Sequence, residues 1–155
     1  MGIDIDYKLF NDNREVVDVL KNTQRKIINS NILDEDIIGG KLRSRLIEVI
    51  GLESKNKKFL HYDENTAFIV QVSHPGGAFS KLLEILLAYN QGQIKNCIFV
   101  TQTYDLAVRR NQIKNPNSLR DGNRIYFETA VDTIESYANS FLDIPIGVLG
   151  IDIKE

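Results

Sequence analysis

A chain of 155 residues, 43% hydrophobic and 26% charged, can bury one ordinary core and is too apolar for wholesale disorder. Its net charge of −2 excludes a global basic field, so any nucleic-acid contact must rest on a local patch. A single cysteine, Cys97, excludes an internal disulfide framework, and two histidines with one cysteine make no zinc signature. The sequence opens without a basic and apolar leader and has no apolar run of membrane-spanning length, so a soluble cytoplasmic protein is expected.

Asn11-Asp12-Asn13 offers helix caps, and Val16, Leu20, Thr23 and Ile27 follow at helical spacing. Residues 1–38 are therefore expected to form a helical N-terminal segment, and 39–155 an α/β core within one domain. Leu42, Leu46, Val49 and Ile50 predict a second amphipathic helix, stopped by Gly51. Lys55 to Lys58 reads as a basic turn, Phe59 to Tyr62 as a short strand, and Asp63-Glu64-Asn65 as a hairpin turn. The run from Ala67 to Ser73 predicts a central strand. Pro75-Gly76-Gly77 opens a helix, apolar nearly all round over 79–89, that Gln91-Gly92-Gln93 ends. A strand over 97–103 and a long polar, basic stretch over 104–124 follow. Val131, Ile134, Ala138 and Phe141 predict a last helix with Thr129 as its cap, and Ile146 to Ile153 a last strand. Strands separated by helices imply a mixed central sheet flanked by helices.

Gln71 and Ser73 stand two apart near the end of the central strand, where alternation puts both on one face. The turn Ser73-His74-Pro75-Gly76-Gly77 could receive an anion on backbone N–H groups, but it lacks the Walker lysine and the dinucleotide glycine spacing. Residues 109–124 carry Arg109, Arg110, Lys114, Arg120 and Arg124 against one acid, Asp121, with Asn111, Gln112, Asn115, Asn117 and Ser118 interleaved. Arginines with amides suit phosphate and base-edge contacts, so these five cations are the candidate DNA-binding residues.

This order of elements, with Phe68-Ile69-Val70-Gln71-Val72-Ser73, Cys97-Ile98-Phe99-Val100-Thr101-Gln102 and Ile144-Pro145-Ile146-Gly147-Val148-Leu149-Gly150-Ile151, resembles the BglII/BstYI group of type II restriction endonucleases. The resemblance covers about residues 40–153. It implies a restriction-endonuclease-like fold, double-stranded DNA as partner, Mg²⁺ as cofactor if the chain is active, and action as a homodimer or with a larger subunit. The departures lie at the site. Gln71 stands where the family has its metal-binding Glu, and Ser73 where it has Gln, Glu or Lys. Tyr62 stands where the preceding strand supplies an Asp, with Asp63 one step along. Glu48, on the second helix, could add a carboxylate, as a helical Glu does in some nucleases of this fold.

Mg²⁺ prefers anionic oxygen ligands, and phosphodiester hydrolysis needs the cation to hold a phosphate oxygen and activate water. An amide and a hydroxyl leave the charge of the ion uncompensated. The remnant catalytic set is therefore Asp63, Gln71, Ser73 and Glu48, and the leading reading is a nuclease-fold DNA-binding protein with weak or lost catalysis, a partner or regulator in a restriction or defence system. The alternatives are an active Mg²⁺-dependent endonuclease using Glu48, Asp63 and Gln71, and a small-ligand-binding α/β domain using the glycine-rich turn. The helix over 14–28 is the expected dimer surface.

Overall fold

The computed structural model describes residues 2–32, 36–37, 40–53, 60–61, 63–138 and 143–154. The basic turn Lys55–Lys58, Tyr62 and Phe141 lie outside these described residues. The chain runs β1 (Gly2–Phe10), α1 (Arg14–Ile28), α2 (Leu42–Ile50), β2 (Leu60–His61), β3 (Thr66–Val70), α3 (Pro75–Asn90), β4 (Asn96–Gln102), α4 (Tyr104–Lys114), α5 (Phe127–Ala138) and β5 (Ile146–Lys154). The expected mixed sheet is present, as five strands in the order β1-β5-β4-β3-β2. The three central strands are parallel, and β1 and β2 close the edges antiparallel.

Two cores form because each central strand is apolar on both faces, as a covered parallel sheet requires. Ala67, Ile69, Cys97, Phe99, Ile146 and Val148 face α3 and α5. Phe68, Val70, Ile98, Val100, Leu149 and Ile151 face α1 and α2. Two glycines in β5 make room for the helices. A Cβ on Gly147 would stand 2.5 Å from Leu20 of α1, and one on Gly150 would stand 2.5 Å from Phe127 of α5. A side chain at Gly150 would displace Phe127 at its Cβ and α5 with it, and one at Gly147 would force the Leu20 side chain from its place.

The N-terminal segment is not wholly helical. Residues 2–10 form β1, paired along its full length with β5 from Gly2–Lys154 to Phe10–Ile146. Ile3, Ile5 and Leu9 pack toward the α1 side while Asp4, Asp6 and Lys8 face out, which suits a charged edge strand. After it, Asn13 caps α1 as its sequence predicts, its side chain accepting from the Val16 amide at 2.8 Å. Val16, Leu20, Thr23 and Ile27 are buried. Thr23 is tolerated there because its hydroxyl donates to the Val19 carbonyl at 2.8 Å. The apolar face of α1 thus covers its own sheet, and Arg14, Asp18, Lys21 and Arg25 point outward. Two further expectations shift. Residues 104–114 are helix, not open chain, and Thr129 lies inside α5, which starts at Phe127.

Candidate functional site

The carboxyl ends of β3 and β4 meet the first turns of α3 and α4. The strand β3 stops at Val70, so Gln71 and Ser73 lie just past it and not within it. One ladder bond continues, from the Gln71 amide to the Val100 carbonyl at 3.0 Å. The chain is then drawn out of the sheet. The buried Val72 carbonyl accepts from Gln102 Nε2 and from Arg110 Nη1, each at 2.8 Å, and the Ser73 carbonyl accepts from the Ile125 amide at 2.6 Å.

Gln102, the last residue of β4, holds this exit together. Its amide also donates to the Ile125 carbonyl at 2.9 Å, and its oxygen accepts from Arg110 Nη1 at 2.6 Å. Two peptides earlier, Arg43 Nε of α2 donates to the Val70 carbonyl at 2.8 Å. Guanidinium groups therefore grip the carbonyls on both sides of Gln71. Arg110 is only 8% exposed and its Nε has no hydrogen-bond partner. Burial, with the Arg124 cation second, lowers its pKa from 12.5 to about 10, so it stays charged at neutral pH.

Each sequence-predicted acid has a local partner of its own. The Asp63 carboxylate accepts from the amides of Asn65 and Thr66, both at 2.8 Å, and so caps the turn into β3. Glu48 is exposed and paired with Arg45 at 2.8 Å. Gln71 points toward α3: its Nε2 donates to the His74 carbonyl at 3.3 Å and would stand 3.4 Å from a Cβ on Gly77. His74 occupies the cap position of α3 without a side-chain capping bond, and Ser73 is exposed. No three Asp, Glu, His or Cys side chains among the described residues are grouped to hold a metal ion. Among the described residues, those at the exit of β3 do not fit a divalent cation: they offer an amide, a hydroxyl and two guanidinium groups, beside which further positive charge is disfavoured.

The five candidate DNA-binding cations separate into two groups. Arg109 pairs with Asp152 at 3.0 Å and donates to the Ile153 carbonyl, tying α4 to β5. Arg110 is buried as described, whereas Arg109 is half-buried with its guanidinium engaged by these partners. Lys114 and Arg120 are exposed and Arg124 is half-buried. Arg124 Nη1 donates to the Asp121 carbonyl at 3.2 Å and to Asn111 Oδ1 at 3.4 Å. Sequence reasoning missed Gln102 and Arg43. The available signal for Gln102 was an amide closing an otherwise apolar strand; Arg43 carried none beyond its charge.

The architecture now has its counterpart among solved structures. The restriction endonuclease BglII complexed with a DNA 16-mer superposes with a TM-score of 0.71, covering 97% of this chain and 79% of that one at 13% identity. The fold is that of BglII. Free BglII superposes with a TM-score of 0.64, covering 98% and 80% of the two chains at 17% identity. No protein-family model matches the chain, and no curated protein matches it either. On this BglII-type frame, Gln71 leaves β3 between two carbonyls, those of Val70 and Val72, that accept from Arg43 and Arg110.

Proposed function

We propose that this chain is a double-stranded-DNA-binding protein on a BglII-type fold that does not cut DNA, serving as a partner or regulatory subunit in a cytoplasmic restriction or defence system. The observation that carries the reading is the arginine-held exit of β3. Where hydrolysis needs clustered carboxylates, Arg43 and Arg110 brace the chain around a neutral Gln71. The DNA part of the reading is supported by the fold shared with a protein solved on DNA and by the exposed Lys114 and Arg120. Pairing with a second copy or a larger subunit belongs to the same reading, although the apolar face of α1 is not available for it.

Two measurements on one preparation test this. Fluorescence anisotropy with labelled duplex should show binding that weakens as salt rises. Supercoiled plasmid should remain intact with Mg²⁺ or Mn²⁺ under the same conditions. Metal-dependent nicking that Gln71→Ala abolishes would replace the proposal with an active endonuclease. Absence of duplex binding at low salt would remove DNA as the partner.

A further inference from the structure

The segment between α4 and α5 combines three properties. Leu119 is 81% exposed, the highest exposure among the large apolar side chains described. The backbone around it is held from behind by α4. Asn111 Nδ2 donates to Ser118 Oγ at 3.2 Å and to the Arg120 carbonyl at 3.0 Å, and Gln112 Nε2 donates to the Ser118 carbonyl at 3.0 Å. Tyr104 Oη donates to the Leu119 carbonyl at 3.4 Å. Finally, Arg120 next to it and Lys114 at the end of α4 are exposed, while the Asp121 carboxylate accepts from the Asn123 amide at 2.8 Å.

Single exposed leucines are ordinary on protein surfaces. Here the side chain projects from a backbone already fixed on both flanks, so inserting it elsewhere costs little further ordering. The cations beside it favour a polyanion over an apolar protein groove. We infer that Leu119 is an apolar wedge that enters a base-pair step of duplex DNA, with Lys114 and Arg120 on the flanking phosphates. Leucine wedges of this kind unstack a step and kink the duplex, and flexible pyrimidine–purine steps take the deformation most readily. The inference rests on the DNA-binding reading above and adds to it how the duplex is engaged. It also gives the protein a preference for deformable sequence.

The test uses the full chain and a panel of short duplexes, each with 2-aminopurine at a different pyrimidine–purine step. Binding of the unaltered protein should raise the fluorescence of some panel members, reporting unstacking. Leu119→Ala should abolish the rise and weaken binding about tenfold, as expected for losing a buried leucine. Its salt dependence should stay unchanged, because no phosphate contact is lost. Leu119→Phe should retain the rise. Because Leu119 is exposed, thermal melting should match across the three proteins. Tight binding with no fluorescence change, or a rise that survives Leu119→Ala, overturns the wedge and leaves DNA binding standing. No binding to any duplex at low salt overturns the DNA reading and the wedge with it. A change in sedimentation with Leu119→Ala while the DNA signal is untouched overturns the wedge in favour of a protein interface.

Discussion

Gln102 and Arg110 donate to one acceptor, the carbonyl oxygen of Val72, each at 2.8 Å and both in buried hydrogen bonds. The two are also bonded to each other at 2.6 Å. This three-way junction turns the chain out of β3, and it fixes where Gln71 and Ser73 stand.

The junction should therefore behave as a unit. Arg110→Ala leaves Gln102 Oε1 without its donor, and Gln102→Leu leaves the Ile125 carbonyl and a buried guanidinium short of partners. Each should cost about 2–4 kcal/mol in urea denaturation. The double variant should fall short of the sum by about 1 kcal/mol or more, because each single change already breaks the shared bonds. Strict additivity would mean the junction is not a cooperative element.

The two outer cations should act differently from the two inner ones. Lys114→Ala and Arg120→Ala should each lower the slope of log affinity against log salt by about 1, with stability unchanged. Arg109→Ala should leave the slope alone and instead loosen α4 from β5, since its partners are Asp152 and the Ile153 carbonyl. Equal slope changes for Arg109 and Arg120 would contradict this division.

That division was not legible in the sequence, and α4 shows why. Its buried residues are Leu106, Ala107, Arg110 and Asn111. The spacing is helical, but half of the buried face is polar, so a search for apolar periodicity finds only a charged stretch. The missed strand β1 is a different case. Ile3, Ile5 and Leu9 alternate with Asp4, Asp6 and Lys8, which is the period of a half-buried strand, and that signal was present. By contrast β3, β4 and β5 were legible because parallel strands buried on both faces read as apolar runs. The Gln71–Ser73 position was legible too, whereas its surroundings depend on Arg43, Gln102 and Arg110 meeting across distant segments.

The loop presenting Leu119 depends on Gly122. Its φ of 69° is left-handed, and a Cβ there would stand 2.5 Å from both Asn111 Oδ1 and Arg124 Nη1. Gly122→Ala should cost about 1–3 kcal/mol from strain and broken loop bonds. It should also weaken DNA binding together with the loss of order. Hydrogen exchange over 115–124 measures the first effect, and anisotropy the second. Unchanged protection would show that the loop does not need this conformation.

Stability at high pH should carry the signature of Cys97. Burial raises its thiol from 9.0 to about 12. The folded state then holds a proton that the unfolded state releases, so this contribution is complete below pH 9 and is lost as pH rises toward 12. The expected loss is about 1.4 kcal/mol per pH unit within that window. Comparison with Cys97→Ala isolates it from tyrosine and lysine titration, since only the unaltered protein carries the extra decline. The native thiol should also resist Ellman's reagent at pH 8. Rapid modification without unfolding would show that the strand β4 is open to solvent.

Restoring a carboxylate at the exit of β3 should not restore a metal site. In Gln71→Glu the new group would face the first turn of α3, which has neither a side-chain cap nor an acid of its own. A negative charge near a helix N-terminus is favourable by about 0.3–1 kcal/mol, which offsets the lost bond to the His74 carbonyl. Arg43 and Arg110 on the adjoining peptides add attraction for an anion and repulsion for a cation. Asp63 stands before the other end of β3, where its Oδ1 accepts from the Asn65 and Thr66 amides. The variant should therefore melt at nearly the same temperature as the unaltered protein, and millimolar Mg²⁺ or Mn²⁺ should leave that temperature unmoved. Removing the repulsion as well, in Gln71→Glu with Arg43→Gln, separates charge from geometry. A metal-dependent rise in Tm in this double variant alone would show that the arginines block the ion. A rise in the single variant would mean that carboxylates already converge there, and the non-cutting reading would fall.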